Sequence, residues 1–358
     1  MEEKNNKWEV KDYEIKYKQQ VLSLLKKYFF ESGVGEEDFF DWQNSENPAG
    51  NSTIKLAIND GDEVVGLYCV IPQKYRIGGK NVLGSVSLNT LVREDYRKMG
   101  IFTKLAEDCF WECQKRGIEF TLGFPNPNSY PGFVRRLNFD ELKELPLLIK
   151  PYKLSNLLAS KLKVSFLKYL FWPVDFCLGF RGGGGESGNI VFEMKKEEIN
   201  NLWKRNKKYY KNIALRDGDF LDWRMNCPNR NYKYLGYKKR GKLLGYMVLG
   251  LMETSGLKNG LVVDFLLKRK GKWREVGREL LVGADRYWRK RGVDQVGFLT
   301  TKNNFEFDVM RKNGFVSCPD FLKPQPMKVV LRWHGKKRLF GFRDTDKWFL
   351  TMFDYDVA

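Results

Sequence analysis

The apolar positions Val21, Leu22, Leu25, Tyr28 and Phe29 recur at three- and four-residue intervals. That spacing predicts an amphipathic helix over 16–31, after a short strand near Trp8 and before a second short helix over 37–42. The pattern then switches to alternation. "TIKLAIND" and "EVVGLYCVI", joined by a glycine-containing turn, read as a hairpin. A long strand is predicted over 82–92, a helix over 101–116, a strand over 119–124, a short helix over 129–137 and a final strand. Gly117 stands where a left-handed helix C-cap is wanted.

The whole series then repeats. "DFFDWQNSENPAGN" at 38–51 is echoed by "DFLDWRMNCPNRN" at 219–231, and each is followed by alternating strands. "YKYLGYKK" and "KLLGYMVLGL" form the second hairpin. "GIFTKLAEDCFWECQKRGIEF" aligns with "EVGRELLVGADRYWRKRGVDQV", bringing Leu105 onto Leu280 and Gly117 onto Gly292. The halves close on "VRRLNF" and "MRKNGF". Two copies of one α/β unit are therefore expected. The predicted division is 1–150, a linker over 151–190 that holds the run "RGGGGESG", and 191–358, in keeping with a length that exceeds one usual core.

Composition narrows the chemistry. There are 63 Lys and Arg against 44 Asp and Glu, a net charge of +19, spread along the chain rather than blocked into one run. This favours acidic partners such as phosphates, nucleic acid or anionic lipid headgroups, or else marks a solvated lysine-rich surface; of these partners nucleic acid is not the expected one. The six cysteines show no metal-binding spacing, and His334 is the single histidine, so no metal is expected. Cys109 and Cys113, four apart on one helix, read as small buried side chains. Unpatterned cysteines and an N-terminus without a secretory pattern point to the cytoplasm. The apolar stretch over 161–180 is interrupted by Lys168, Pro173 and Asp175; peripheral contact with a membrane surface through its lysines is one reading, packing between domains another.

The chemistry concentrates at "NTLVREDYRKMGIF". A strand ends, a short basic loop follows, and a helix starts directly after Gly100. The first turn of a helix presents unpaired N–H groups and the positive end of the macrodipole, a ready anion site. Arg97 and Lys98 add charge, and Gly100 lets a ligand approach the backbone. GxxxxGK and GxGxxG patterns are absent, so a pyrophosphate held by amides without a metal is what remains.

The strand "LNTLV", this loop and the helix "TKLAEDCFWECQKRG" resemble the acetyl-CoA-binding motif of the GCN5-related N-acetyltransferases (GNAT), [Q/R]xxGx[G/A]. Arg97, Lys98, Met99, Gly100 and Ile101 fit, and Phe102 departs at the sixth position. The resemblance implies two tandem α/β domains, each a mixed, largely antiparallel twisted sheet flanked by helices, similar to tandem acetyltransferases of bacterial surface-polysaccharide pathways. It implies acetyl-CoA as co-substrate, bound by Leu91, Val92, Arg97 through Thr103, Asn126 and Asn128, and direct transfer to an amine acceptor, a sugar or sugar nucleotide fitting the basic charge. The main-chain N–H of Leu91 or a neighbour is the expected oxyanion donor. The family's usual acid, a tyrosine, is replaced by Val134; Tyr130, one helical turn earlier, is the best substitute, with a packing tyrosine beside the helix-interrupting Pro131 and Gly132 as the equal alternative. The Asn residues equally suit ordinary turns.

In the second copy Lys272 and Glu275 stand where Arg97 and Gly100 stand in the first, and Gly277 lies too far along to serve. A carboxylate would repel a pyrophosphate, so one acyl-CoA site is expected, with the second copy shaping the acceptor site. Trp42 and Trp223 are candidates for stacking on a ring or for core, and Asp354 and Asp356 for a base on a terminal strand. Two alternatives stay open. A Fem-type aminoacyl-tRNA-dependent transferase also uses two such domains, though it needs no pyrophosphate loop. A non-catalytic CoA-sensing or carbohydrate-binding module is compatible with the missing tyrosine.

Overall fold

The computed structural model describes residues 7–30, 33–162, 188–335 and 341–355. The glycine run at 182–185 lies outside them, as does the expected membrane-surface element 161–180 except for the last two residues of a helix.

In chain order, β1 (Trp8–Asp12) leads to α1 (Lys18–Tyr28) and α2 (Glu37–Asn44), then to β2 (Thr53–Asn59), β3 (Val64–Ile77) and β4 (Lys80–Val92). α3 (Ile101–Lys115), β5 (Phe120–Gly123), β6 (Asp140–Leu142), β7 (Leu147–Pro151) and α4 (Leu154–Leu162) follow. β8 (Ile190–Val191), α5 (Lys196–Asn206), β9 (Asn212–Ala214), α6 (Gly218–Met225), β10 (Lys233–Lys239), β11 (Lys242–Thr254) and β12 (Leu257–Leu267) repeat the plan. The chain continues through α7 (Trp273–Lys290), β13 (Gln295–Leu299), α8 (Phe305–Lys312), β14 (Val316–Ser317), β15 (Val329–Trp333), β16 (Trp348–Phe349) and α9 (Met352–Tyr355).

These elements gather into two compact units. The first comprises Met1–Glu144, Asn226–Asn229 and Lys328–Asp344; the second comprises Leu145–Met225, Arg230–Met327 and Thr345–Ala358. Within the first, the sheet runs β1-β2-β3-β4-β5-β15-β6. β4 and β5 are parallel and the other neighbours antiparallel. Within the second, the order is β14-β7-β13-β12-β11-β10-β8, with β12 and β13 the parallel pair. Each unit is thus a mixed, mostly antiparallel sheet flanked by helices, the expected fold class.

The division differs from the expected cut near 150. β7 follows the first half in sequence yet pairs with β13 of the second unit, Val296 opposite Lys150. β15 follows the second half yet pairs with β5 of the first, Leu331 opposite Leu122. The two units exchange the strand beside their parallel pair. A five-residue apolar strand fits either sheet by hydrophobicity alone, so pattern cannot assign its partner.

Both faces of the first sheet are covered. α3 sets Leu105, Ala106, Cys109, Phe110 and Cys113 against Ala57, Tyr68 and Val70, with Val330 of β15 in the same cluster. α1 sets Val21, Leu22 and Leu25 against Leu56, Leu67 and Ile71 on the other face. Burial of each such side chain contributes about 1.5–3 kcal/mol. In the second unit α7 packs Leu280, Leu281, Ala284 and Trp288 against Leu235, Met247, Val262 and Phe265.

Candidate active site

The site is built where β4 and β5 part. They pair only over Ser85–Thr121, Val86–Leu122 and Ser87–Gly123. β5 then ends, while β4 runs on to Val92. A bulge bends β4 there: Leu67 pairs with Leu91 and Cys69 with Leu88, so Asn89 and Thr90 together oppose Tyr68, and Asn89 takes φ 50.

The ladder fixes which amides look into the gap. Arg93 N–H donates to the Val65 carbonyl, 2.8 Å. In an antiparallel pair hydrogen-bonded positions alternate, so Leu91 is again bonded to Leu67. The N–H of Leu91, expected to serve the oxyanion, is therefore turned to β3. Val92, the intervening residue, directs its N–H to the opposite edge, where β5 has ended.

Beyond Val92 the chain makes one 3-10 turn, Glu94–Tyr96, and plugs Tyr96 into the core. Lys98 and Gly100 both adopt left-handed backbone, φ 68 and 79. A Cβ at Gly100 would meet nothing within 4 Å, so the space in front of the helix is open. No side chain caps α3, and the first intrahelical bond is Lys104 N–H to Gly100 O, 3.1 Å. Among the described residues the amides of Ile101, Phe102 and Thr103 have no acceptor. Arg97 lies beside them, its Nε donating to Val92 O at 3.3 Å and its Nη2 3.6 Å from Glu94. Lys98 and Met99 are exposed, whereas the Ile101 side chain is buried, leaving only its amide for a ligand.

Phe102, the departure from the motif, turns inward. Its ring stands 5.8 Å from that of Tyr68 and 5.9 Å from that of Phe133. After β5, Asn126 Oδ1 accepts from the amides of Asn128 and Ser129, both at 3.0 Å, and so starts the next helical turn rather than facing outward as an acceptor. Asn128 is exposed. The helix expected over 129–137 contains a π turn, Gly132–Arg136, closed by Leu137 N–H to Gly132 O. Tyr130 precedes it and donates its hydroxyl to Glu141, whose other oxygen accepts from Lys328 at 2.7 Å. The bond to Glu141 raises the Tyr130 pKa, and the bond from Lys328 lowers that of Glu141. Neither Glu141 nor Lys328 carries a sequence signal, because their meeting depends on β15.

At the corresponding helix tip of the second unit a Cβ on the left-handed glycine would likewise meet nothing within 4 Å, and it is the side chains around the tip that differ. Its left-handed glycine is Gly271, φ 78; Gly277 sits inside α7, where a Cβ would meet Val309 at 2.8 Å. Glu275 is in the first turn, paired with Lys272 at 3.0 Å. Trp273 stacks on Phe305, centroids 4.4 Å apart. Arg269 lies over both Phe305 and Tyr210, at 4.2 and 4.4 Å, and bonds Glu306 at 2.9 Å. Glu306 also accepts from the last amide of β12, Leu267, at 3.0 Å.

Other expectations change. Asp354 lies not on a strand but in α9, fully buried against Arg216, and so cannot reach a substrate as a base. Asp356 lies outside the described residues. Trp42 is buried and packs on Phe39, 5.2 Å between centroids. His334 bonds Thr121 Oγ1 through Nε2 at 2.7 Å. Among the described residues no cluster of metal-binding side chains occurs, and no helix is long and apolar enough to cross a membrane.

Residues 9–142 match the family model described as acetyltransferase (GNAT) domain. The likeness to that family thus covers residues 9–142 of the chain. No curated protein matches the chain. Among solved structures, a GCN5-related N-acetyltransferase from Anabaena variabilis is similar over 92% of this chain and 73% of its own, with TM-score 0.63 and 11% identity. A probable N-acyltransferase from Enterococcus faecalis matches over 92% and 72%, TM-score 0.63, 14% identity. The N-myristoyltransferase of Saccharomyces cerevisiae, solved with myristoyl-CoA, matches over 91% and 82%, TM-score 0.64, 12% identity. At such identity the likeness is one of fold, and the fold is that of two tandem GNAT-like domains.

Proposed function

We propose that the protein is an acyl-CoA-dependent N-acyltransferase that moves an acetyl group from acetyl-CoA to an amine, with one acyl-CoA site, in the first unit. The observation that carries this reading is the uncapped tip of α3. Three amides without acceptors follow a left-handed glycine, beside two basic residues and one strand-end away from the gap between β4 and β5. A diphosphate satisfies such amides and the helix dipole together.

The reaction follows from the parts. The neutral amine attacks the thioester carbon; a C–N bond forms, the carbonyl oxygen takes up charge, and the C–S bond then breaks. The outward N–H of Val92 is the donor suited to that oxygen. Tyr130 supplies the proton to the departing sulfur. An amino group on a sugar or sugar nucleotide is the acceptor in keeping with the net charge of +19.

Calorimetric titration with acetyl-CoA tests the site. Gly100→Glu puts a carboxylate into the open space and is expected to abolish binding while the fold persists; retained affinity refutes the site. Thiol release, screened over amino sugars, their nucleotides, polyamines and lysine peptides, identifies the acceptor. Binding without thiol release for any amine leaves a sensor in place of an enzyme.

A further inference from the structure

We infer that Glu141 and Lys328 are positioning residues for Tyr130, so that proton delivery in the first unit depends on a lysine brought in by the exchanged strand; this rests on the acyltransferase reading above. The placement comes from the sheet. Ser87 pairs with Gly123, Gly123 with Val330, and Val330 with Glu141, one row across β4, β5, β15 and β6. Ser87 and Gly123 are the last pair before β4 and β5 diverge. Glu141 therefore stands level with the mouth of the gap, two strands away, and Tyr130 reaches back to it from the turn that follows β5.

Glu141 is held at both oxygens. One accepts the Tyr130 hydroxyl and the other the Lys328 ammonium, which also lies 5.5 Å from the centre of the Tyr130 ring. The carboxylate fixes the phenol's orientation and alone would oppose loss of its proton. The ammonium offsets that opposition, because a phenolate formed at Tyr130 faces a cation as well as an anion. As the C–S bond breaks, the Tyr130 hydroxyl turns its single proton from Glu141 to the sulfur, which takes it from Oη. The proton shed by the new C–N nitrogen returns through water to the phenolate, which closes the balance. Lys328 immediately precedes β15, so the second half of the chain supplies this cation to the first unit.

Both side chains of the ion pair are about a third exposed, 34% and 39%, so their substitution has little effect on folding. The test compares wild type, Tyr130→Phe, Glu141→Gln, Lys328→Met and Lys328→Arg by the acetyl-CoA Kd and by kcat from thiol release, over about pH 6 to 10. Tyr130→Phe is expected to lower kcat on the order of 100-fold. Glu141→Gln and Lys328→Met are each expected to lower it about tenfold with Kd unchanged, and Lys328→Arg to restore most of the loss. The alkaline limb of kcat is expected to move down in Glu141→Gln and up in Lys328→Met, opposite shifts that a structural role does not produce. In the Tyr130→Phe background neither further change lowers kcat. Wild-type kcat in Lys328→Met and Glu141→Gln, or losses that persist without the Tyr130 hydroxyl, overturns the inference. Absence of acetyl-CoA binding or thiol release in the wild type itself overturns the acyltransferase reading and this inference with it.

Discussion

Phe102 and Gly132 are shaped to each other: a Cβ built on Gly132 falls 3.0 Å from Cε1 of Phe102, closer than side chains normally approach. A bulky residue can occupy the sixth motif position because the π turn opposite offers it a glycine. Gly132→Ala is expected to destabilise the protein by about 1–3 kcal/mol through overpacking. In a Phe102→Ala background the same change is expected to be neutral or stabilising, since Ala favours a helix over Gly by about 1 kcal/mol. A double-mutant cycle in urea reads the coupling; additivity of the two changes shows that the contact does not limit either residue.

The second unit holds an ion network of another kind. Arg216, Asp264 and Asp354 are all fully buried, with Nη1 of Arg216 3.1 Å from Asp354 and Nε 3.2 Å from Asp264. Thr351 joins them by donating to Asp264 at 2.8 Å. Burial opposes the charge on Arg216, and the two carboxylates more than offset it, so its pKa is raised. Asp354→Ala leaves a guanidinium short of a partner and is expected to cost about 3–5 kcal/mol by denaturant midpoint. Asp108→Ala, which removes the surface pair Lys104–Asp108, is expected to change stability by about 0.5 kcal/mol or less. Equal effects show that the buried network is not what anchors α9.

Much of this was legible in the residues. The helix tip declared itself because a glycine, a basic loop and a 3.6-residue apolar pattern are all local features, and α3 begins at Ile101 as the pattern predicts. The repeat likewise marked both hairpins. What depends on pairing was not legible. Leu91 and Val92 look alike in sequence, and only the alternation set by Arg93 and Val65 decides which amide faces the gap. Lys328 and Glu141 are 187 residues apart and meet because β15 crosses to the first unit. Asp354 looked like an alternating strand residue, but a buried partner, Arg216, drew it into the core. The alignment puts Glu275 opposite Gly100, whereas the left-handed glycine before α7 is Gly271, which backbone angle and not sequence offset reveals.

His334 gives a spectroscopic test of the first core. Burial, and then the nearby Arg332 cation, push its pKa down to about 3. Its folded value is below the unfolded one, so its contribution to stability is present above pH 6.5, the ordinary value, and is lost as pH falls toward 3. The slope is at most about 1.4 kcal/mol per pH unit. Because the chain has a single histidine, one imidazole resonance reports it. That resonance is expected to stay at its neutral position between about pH 7 and 5, where an exposed histidine titrates. A midpoint near 6.5 in the folded protein shows instead that the ring is open to water.

The two helix tips predict a stoichiometry. In the first unit the amides after Gly100 face open space. In the second, Trp273 stacks on Phe305, Arg269 lies against it, and Glu306 holds the end of β12. A diphosphate there has to approach the Glu275 carboxylate in the first turn of α7, which is unfavourable. Titration with acetyl-CoA is therefore expected to saturate at one equivalent per chain. Gly100→Glu is expected to remove that equivalent entirely, while Gly271→Glu leaves it intact. A second equivalent, or binding that survives Gly100→Glu and is lost in Gly271→Glu, moves the acyl-CoA site to the other unit.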